Sequence, residues 1–462
     1  MCTLEYFLQS IYDNKIRCTY SSSTNCFDQF AGWSLDMPRV PRSQVFDAAE
    51  IGVYHCINRC VRGAYLCGRN ASTGRNFEYR RVWIQERMAF LASTMGLDLL
   101  AFCVMDNHFH LMVRNRPDLV EQWSAEEVAR RWYRLCPPRK PGSRQLADEP
   151  SRADMAAIVK RPRRLAEIRR RLSSVSWLMR FLAEPIARRA NREDKVKGRF
   201  WEGRFKLQRL LDESAIAACM AYIDLNPIRA GIVLSPEDSR FTSCFERLQG
   251  AMQNMLPLLN QQDPTYLESL GIKFFSEVVL VEPRQCDDPP ETVSSPQNPS
   301  AVVPRADSAI CYVRLEDLLV EAQQSGRAAW LSPLEITEQT VQTAIPNSRA
   351  SNLGCLNMSF TQYLQLLEWT GRQWRKDKRG KIPDDLAPLA KRLGMPGESW
   401  MPMVQVFDGH FRHAAGRPES MKREALRRQK RWIQGTKASQ SVFGGDSLPP
   451  DTRPAIAPLS LN

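Results

Sequence analysis

The sequence lacks the features that mark membrane-embedded, exported and zinc-binding proteins. It has no run of about 18 apolar residues, so no membrane-spanning helix and no membrane partner are expected. Its first residues show no basic region followed by an apolar core, so no secretory signal is expected. The 13 cysteines are scattered without a CxxC pair, which favours reduced thiols over disulfides or structural zinc. A cytoplasmic location is therefore expected.

Positive charge is what the chain has in excess. The 64 lysines and arginines outnumber the 51 acidic residues, which gives a formal net charge of +13. Residues 151–210 alone carry a net charge of +12, which nearly equals the excess of the whole chain. Polyanions are the partners that such a balance favours. A basic protein with no ligand is the alternative, which composition alone does not reject.

Composition and periodicity divide the 462 residues into five segments. Six prolines between residues 281 and 304 indicate a linker. The predicted segments are an N-terminal extension or translational mis-start (1–36), a main folded domain (37–250), a connecting segment with the Pro-rich linker (251–310), a basic domain of unknown role (311–437) and a disordered tail (438–462).

The start of the main domain predicts a β-α-β-β order. Residues 51–60 are rich in β-branched and aromatic residues and predict a strand. Residues 76–96 have apolar positions at helical spacing and end at a glycine. Residues 97–105 and 108–115 predict a hairpin of two strands around a DNH turn. Further helices are predicted over 173–192, 212–227 and 358–371, the second of them ended by Pro227.

The hairpin carries the first candidate site, the pair His108 and His110. Alternate residues of a strand point to the same face, so both imidazoles can share one divalent metal ion. Phe109 points to the other face, into a core. The alternative is two surface histidines on a half-exposed hairpin.

The second candidate site is the pair Tyr222 and Asn226 in the segment AYIDLNPIRAGIV. Four residues apart, they share one helix face. A phenol and an amide oxygen in this arrangement can both face the histidine pair. The alternative is an ordinary half-buried tyrosine and a helix-ending asparagine before Pro227.

The chain contains the segments MDNHFHLMV, YIDLNPIRAGIV, MPRVPR, VYHCINRCVRGAYLC and GRFWEGRFKLQRLL. Together, these segments resemble the single-tyrosine HUH transposases. The REP-associated tyrosine transposases and their insertion-sequence relatives are the branch that residues 37–250 resemble. The resemblance implies an α+β fold, with a ferredoxin-like or RRM-like antiparallel sheet and helices on one face. A mainly helical C-terminal domain is expected beside it.

In function, the resemblance implies an endonuclease and strand transferase acting on single-stranded or hairpin DNA with repeat flanks. Tyr222 would be the catalytic nucleophile that forms a 5′-phosphotyrosine. His108, His110 and Asn226 would be the ligands of a Mg²⁺ or Mn²⁺ ion. A tyrosine next to a cation loses its proton more easily, and the ion neutralises charge on the phosphate. Whether the protein acts as a homodimer stays open, and a non-cleaving hairpin DNA- or RNA-binding relative is the rival interpretation.

Two residues depart from the family pattern, Asp106 before Asn107 and Asp224 after Ile223. Neither removes a catalytic group. Asp106 would either support a metal ligand or cap the turn.

The basic residues of the middle segment are the candidate DNA contacts, since arginines along a helix bind phosphates. They are Arg161, Arg163, Arg164, Arg169, Arg170, Arg171 and Arg204. Nearby tryptophans, Trp177 and Trp201, offer base-stacking surfaces or pack in the core. Residues 371–440 carry a further net charge of +10. His410 and His413 lie there one helical turn apart, for which an ordinary helix is favoured over a metal site.

Overall fold

The computed structural model describes residues 41–61, 66–69, 74–140, 142–233, 236–259, 326–336, 348–373, 404, 407 and 411–443. Its strands are β1 (Gly52–Arg59), β2 (Leu97–Val104), β3 (His108–Asn115), β4 (Lys206–Leu210) and β5 (Ala414–Ala415). The helices of the first half are α1 (Arg42–Val45), α2 (Arg80–Thr94), α3 (Pro117–Gln122), α4 (Ala125–Leu135), α5 (Arg152–Val159), α6 (Pro162–Leu172) and α7 (Val175–Glu193). They are followed by α8 (Glu213–Asp224), α9 (Asn226–Arg229), α10 (Ser243–Leu259), α11 (Phe360–Gln373), α12 (Pro418–Arg427) and α13 (Thr436–Phe443).

The strands form one sheet in the order β2-β3-β1-β4-β5. The first four are antiparallel to their neighbours, whereas β5 runs parallel to β4. The β4-β1-β3-β2 order with these directions is that of a ferredoxin-like fold, so the predicted α+β class is confirmed. The predicted spans of β1, β2 and β3 are confirmed to within two residues at each end.

Strand β2 has the composition of a strand that is covered on both faces of the sheet. Its sequence LDLLAFCV is almost continuously apolar, and every residue in it is buried. Such a run is typical of a strand that packs on both sides. The register of β2 against β3 shifts by one residue between Leu99 and Ala101, as at a β-bulge.

Helices α2 and α7 pack against each other on the face opposite the histidines. Phe109, on that face, contacts the ring of Trp201 with centroids 5.7 Å apart. The indole of Trp201 donates a hydrogen bond of 2.8 Å to the carbonyl of Ala183 in α7. The sequence predicts helices on one face of the sheet, and α2 and α7 cover that face.

Helix α8 corrects that prediction, because it lies on the histidine face. Residues 214–224 of α8 are all buried, which is expected of a helix that is apolar all round. One side packs on β2 and β3. The other side meets residues of the C-terminal half, among them Tyr363 and Leu366, in the same hydrophobic cluster.

The C-terminal half therefore shares a core with the first half. Leu356, Phe407 and Ala415 belong to the cluster that contains α8. The predicted boundaries at 250 and 438 fall inside α10 and α13, because apolar residues such as the buried Val442 continue past them. The predicted extension 1–36, most of the predicted linker and residues 444–462 lie outside the described residues. In the described ranges, no helix combines the length and hydropathy needed to cross a bilayer.

Candidate active site

Three histidines from two neighbouring strands meet on one face of the sheet. His108 and His110 of β3 have ring centroids 4.9 Å apart. The ring of His55 of β1 is nearly parallel to that of His110, with centroids 5.2 Å apart and an interplanar angle of 15°. His55 Nε2 and His110 Nδ1 are 3.0 Å apart, within hydrogen-bond distance. The alternation of β3 thus brings the predicted pair together, and the pairing of β3 with β1 adds a third imidazole.

The Nε2 atom of His110 is buried and has no hydrogen-bond partner. A buried polar atom without a partner is costly unless something else satisfies it. His108 points its Nδ1 at the side-chain oxygen of Asn107, 2.6 Å away. Because an amide oxygen only accepts, His108 carries its hydrogen on Nδ1 and keeps a lone pair on Nε2. Both histidines therefore fit a metal ion through Nε2.

The surroundings keep these histidines neutral. Burial, together with the charges of Arg59 and Lys206, lowers the pKa of His108 to about 3. Burial also puts the pKa of His110 well below its ordinary value, with added effects of His108 and His55. Neutral imidazoles are the form that binds metal ions.

Positive charge borders the histidines. Arg59 is the direct cross-strand neighbour of His108, and Lys206 lies opposite Ile57 at the start of β4. Both side chains are exposed. Two exposed cations next to a neutral imidazole pair are an arrangement that attracts a phosphate.

Tyr222 lies at the edge of the histidine group. Its ring centroid is 5.5 Å from that of His110 and 6.1 Å from that of His55. The guanidinium carbon of Arg229 is 5.7 Å from the ring. Tyr222 is only 5% exposed, and the ring of Phe407 lies over it with centroids 6.0 Å apart. The nucleophile predicted from sequence is thus beside the predicted ligands, beneath a C-terminal aromatic residue.

Local sequence fixes the position of Tyr222. Asp212 caps α8 by accepting a hydrogen bond of 3.0 Å from the backbone N–H of Ala215. Pro227 stands at the start of the next short helix, α9. Asn226 donates from its side-chain nitrogen to the carbonyl of Tyr222 at 2.9 Å. This bond stabilises the junction of α8 and α9 and orients the side chain of Asn226.

Asp106 and Asp224, the two acidic residues singled out in the sequence, make contacts within the protein. Asp106 accepts a hydrogen bond of 2.5 Å from Arg81, whose guanidinium also reaches the carbonyl of Val104. Asp106 thus fixes the hairpin turn. Asp224 is buried and accepts hydrogen bonds from Ser243 and Tyr363. Among the described residues, no group of three or more His, Cys, Asp or Glu side chains is placed to hold a metal ion.

The seven predicted DNA-contacting arginines fall into two groups. Five are exposed: Arg161, Arg163, Arg164, Arg170 and Arg204. The other two make contacts inside the protein. Arg169 donates to the carbonyls of Val120 and Trp123, and Arg171 pairs with Glu167.

The aromatic candidates are engaged in packing. Trp177 contacts Trp132 at 5.9 Å and Phe181 at 5.6 Å, and Trp201 packs on Phe109 as described above. In the C-terminal segment His413 precedes β5 in a bend, so the predicted helix around it is wrong at that residue. His410 lies outside the described residues.

Sequence reasoning missed His55, Gln208 and Phe407. His55 Nδ1 is 3.3 Å from the Gln208 oxygen, and Phe407 covers Tyr222. The two-residue side-chain period of β1 places His55 on one face. Only the pairing of β1 with β3 and β4 brings it to His110 and Gln208.

No protein-family model and no curated protein matches the chain. One solved structure is similar, described as the REP-associated tyrosine transposase bound to a REP hairpin. The identity is 12%, the match covers 43% of this chain and 79% of that one, and the TM-score is 0.24. A likeness at this level supports no conclusion on function.

Proposed function

We propose that this protein is a metal-dependent, single-tyrosine DNA strand-cleaving and strand-joining enzyme of the HUH transposase type. The observation that supports it most is the convergence of His108, His110 and Tyr222, with a buried Nε2 atom of His110 that lacks a partner. The resemblance of the motifs around these residues supports the same proposal. The exposed arginines and the charge of residues 151–210 fit a DNA substrate.

His108 and His110 would hold the ion through their Nε2 atoms, and the side-chain oxygen of Asn226 would be a third ligand. A bound Mg²⁺ or Mn²⁺ ion supplies charge neutralisation and orientation of the scissile phosphate. Two nitrogen ligands make a weak site for Mg²⁺, which prefers oxygen. Weak binding is therefore expected for the protein alone.

Tyr222 would attack the phosphorus atom of one phosphodiester. A bond forms from the phenolic oxygen to phosphorus, and the bond from phosphorus to the 3′ oxygen breaks. The phenol loses its proton and the leaving 3′ oxygen gains one, so the step is balanced. Arg59 is the cross-strand neighbour of His108, Lys206 lies opposite Ile57, and Arg229 lies near the ring of Tyr222. Their positive charge would stabilise the phosphate as negative charge builds up.

The test is formation of a covalent protein–DNA complex. The purified protein is incubated with Mn²⁺ or Mg²⁺ and labelled single-stranded hairpin DNA from the flanks of its own gene, then run on a denaturing gel. We expect a metal-dependent shifted band that is lost in Tyr222→Phe and in His108→Ala. Tyr79→Phe, an exposed tyrosine, is the matched control and should keep the band.

A second candidate is a protein that binds hairpin nucleic acid without cutting it. The contact of Phe407 with the ring of the 5%-exposed Tyr222 favours it, because cleavage would require the phenol to be uncovered before it reaches a phosphate. Hairpin binding without a covalent band, with both metals and several hairpins, would favour this candidate.

A further inference from the structure

We propose that His55 and Gln208 are positioning residues that fix which nitrogen of His110 carries hydrogen. They do so through a chain of hydrogen bonds that begins at the carbonyl of Phe411. The inference deepens the proposed function and rests on it, because it assigns how the metal ligand His110 is prepared. The chain runs from Phe411 through Gln208 and His55 to His110.

The chain begins with the amide of Gln208. Its nitrogen donates to the backbone carbonyl of Phe411. A carbonyl only accepts, so the amide nitrogen of Gln208 must face it and the amide oxygen must face away. That oxygen lies 3.3 Å from His55 Nδ1. The carbonyl of Phe411 therefore sets the orientation of the whole amide.

The orientation passes through His55 to His110. Facing an oxygen that only accepts, His55 carries its hydrogen on Nδ1. Its Nε2 atom then has the lone pair, and this atom is 3.0 Å from His110 Nδ1. The hydrogen between them belongs to His110 Nδ1, so His110 Nε2 is left with a lone pair. This is the buried atom that lacks a partner in the structure.

The hydrogen-bond chain is shielded from water and lies on three paired strands. His55, Gln208 and His110 are 1%, 4% and 1% exposed. His55 and Gln208 are direct cross-strand partners on β1 and β4, and His110 is on the next strand. Water has little access, so a lost member of the chain is not easily replaced by solvent. A histidine ligand is typically fixed by a hydrogen bond at its other ring nitrogen, and this chain supplies it.

The first test reads the hydrogen position directly. The whole chain has five histidines, so labelling only histidine with ¹⁵N gives few signals in a long-range ¹H–¹⁵N correlation spectrum. We expect His110, assigned by loss of its signals in His110→Gln, to carry hydrogen on Nδ1 in the metal-free protein. Hydrogen on Nε2 of His110 in the wild type would overturn the proposal.

The second test measures Mn²⁺ affinity without DNA, by titration and the electron paramagnetic resonance signal of free Mn²⁺. Removing a hydrogen-bond partner of a metal ligand weakens binding by roughly 10- to 100-fold. We expect that loss in His55→Phe and a smaller loss in Gln208→Leu. His413→Phe replaces a histidine outside the chain and should bind as the wild type does.

The variant His55→Gln separates the loss of the hydrogen-bond chain from a general folding defect. His55→Gln retains an acceptor for His110 Nδ1 and a donor for Gln208, so it should recover most of the affinity and the Nδ1–H form of His110. Wild-type affinity in a folded His55→Phe would overturn the proposal, as would equal losses in His55→Phe and His55→Gln when both are folded. Neither test uses DNA, so absence of the covalent band would remove the proposed activity and leave the inference on His110 to be decided by these results.

Discussion

The phenol of Tyr363 donates a hydrogen bond of 2.7 Å to the buried carboxylate of Asp224, although 139 residues separate them. Asp224 is in the last turn of α8, two residues after Tyr222. Ser243 Oγ and the backbone N–H of Cys244 bind its other oxygen at 2.6 and 3.0 Å. One carboxylate therefore attaches the tyrosine helix to both α10 and α11.

Tyr363→Phe should destabilise the protein. The substitution leaves one oxygen of a buried carboxylate with one partner fewer, which costs about 1–3 kcal/mol of unfolding free energy. Urea unfolding followed by circular dichroism measures it. Tyr79→Phe removes a hydroxyl from a 42%-exposed side chain and should change the free energy by less than about 0.5 kcal/mol. Equal effects of the two substitutions would contradict the role given to Asp224.

Asp98→Ala should be more damaging, because it removes the carboxylate partner of the buried Arg114 and leaves Arg116 paired with Asp118 alone. Asp98 is 1% exposed and pairs with Arg114 at 2.7 Å and with Arg116 at 3.4 Å. Ser351 of the C-terminal half donates to its other oxygen at 2.7 Å. Breaking such a pair costs about 3–5 kcal/mol. The control is Asp148→Ala, since that side chain is 94% exposed, and thermal denaturation of both variants shows whether only the first loses stability.

Acid should weaken the protein through Glu424. Burial raises the pKa of Glu424, but the hydrogen bond from Arg427 and the charges of Arg209 and Arg428 lower it more, so the folded pKa lies below its ordinary value. The folded form then binds fewer protons than the unfolded form, so the stabilisation is complete above the unfolded pKa of about 4.3 and is lost as pH falls through the folded pKa.

Glu424→Gln makes this measurable. The variant should be less stable than the wild type at neutral pH, and the difference should shrink as the pH is lowered below about 4. Glu419→Gln, at an exposed position in the same helix, should show no such pH dependence. A wild-type advantage that is constant from neutral pH to well below that range would refute the assignment.

The exposed arginines should govern salt-dependent binding of DNA. Replacing Arg163 and Arg164 together by alanine should weaken hairpin binding and reduce the dependence of log affinity on log salt by about 2, one for each lost phosphate contact. Fluorescence anisotropy over a salt series gives both quantities. Arg169→Ala should instead lower thermal stability, because Arg169 binds the carbonyls of Val120 and Trp123. An unchanged salt slope in the double variant would remove these residues from the interface.

Local sequence patterns predicted most of the elements that build the site. The period-two pattern of β3 put His108 and His110 on one face, and the helical spacing with Pro227 located α8. Long-range pairing was not accessible in the same way. His55 and Gln208 are 153 residues apart, and their contact depends on the register of β1 against β4.

The packing of the C-terminal half was also beyond the sequence pattern. Its apolar residues predicted a helix such as α11, but nothing local indicates that Phe407 stacks on Tyr222 or that β5 extends the sheet. The apolar residues all round α8 were the signal that both of its sides are covered. An interpretation based on that signal would have placed helices on both faces of the sheet.

The most direct measurement is to identify the amino acid that carries DNA in the covalent complex. The complex formed with Mn²⁺ and hairpin DNA is digested with nuclease and protease, and the modified peptide is sequenced by mass spectrometry. The account predicts one nucleotide-bearing tyrosine, Tyr222, joined through a 5′ phosphate. Attachment at any other residue, or an equal yield of complex from Tyr222→Phe, would contradict it.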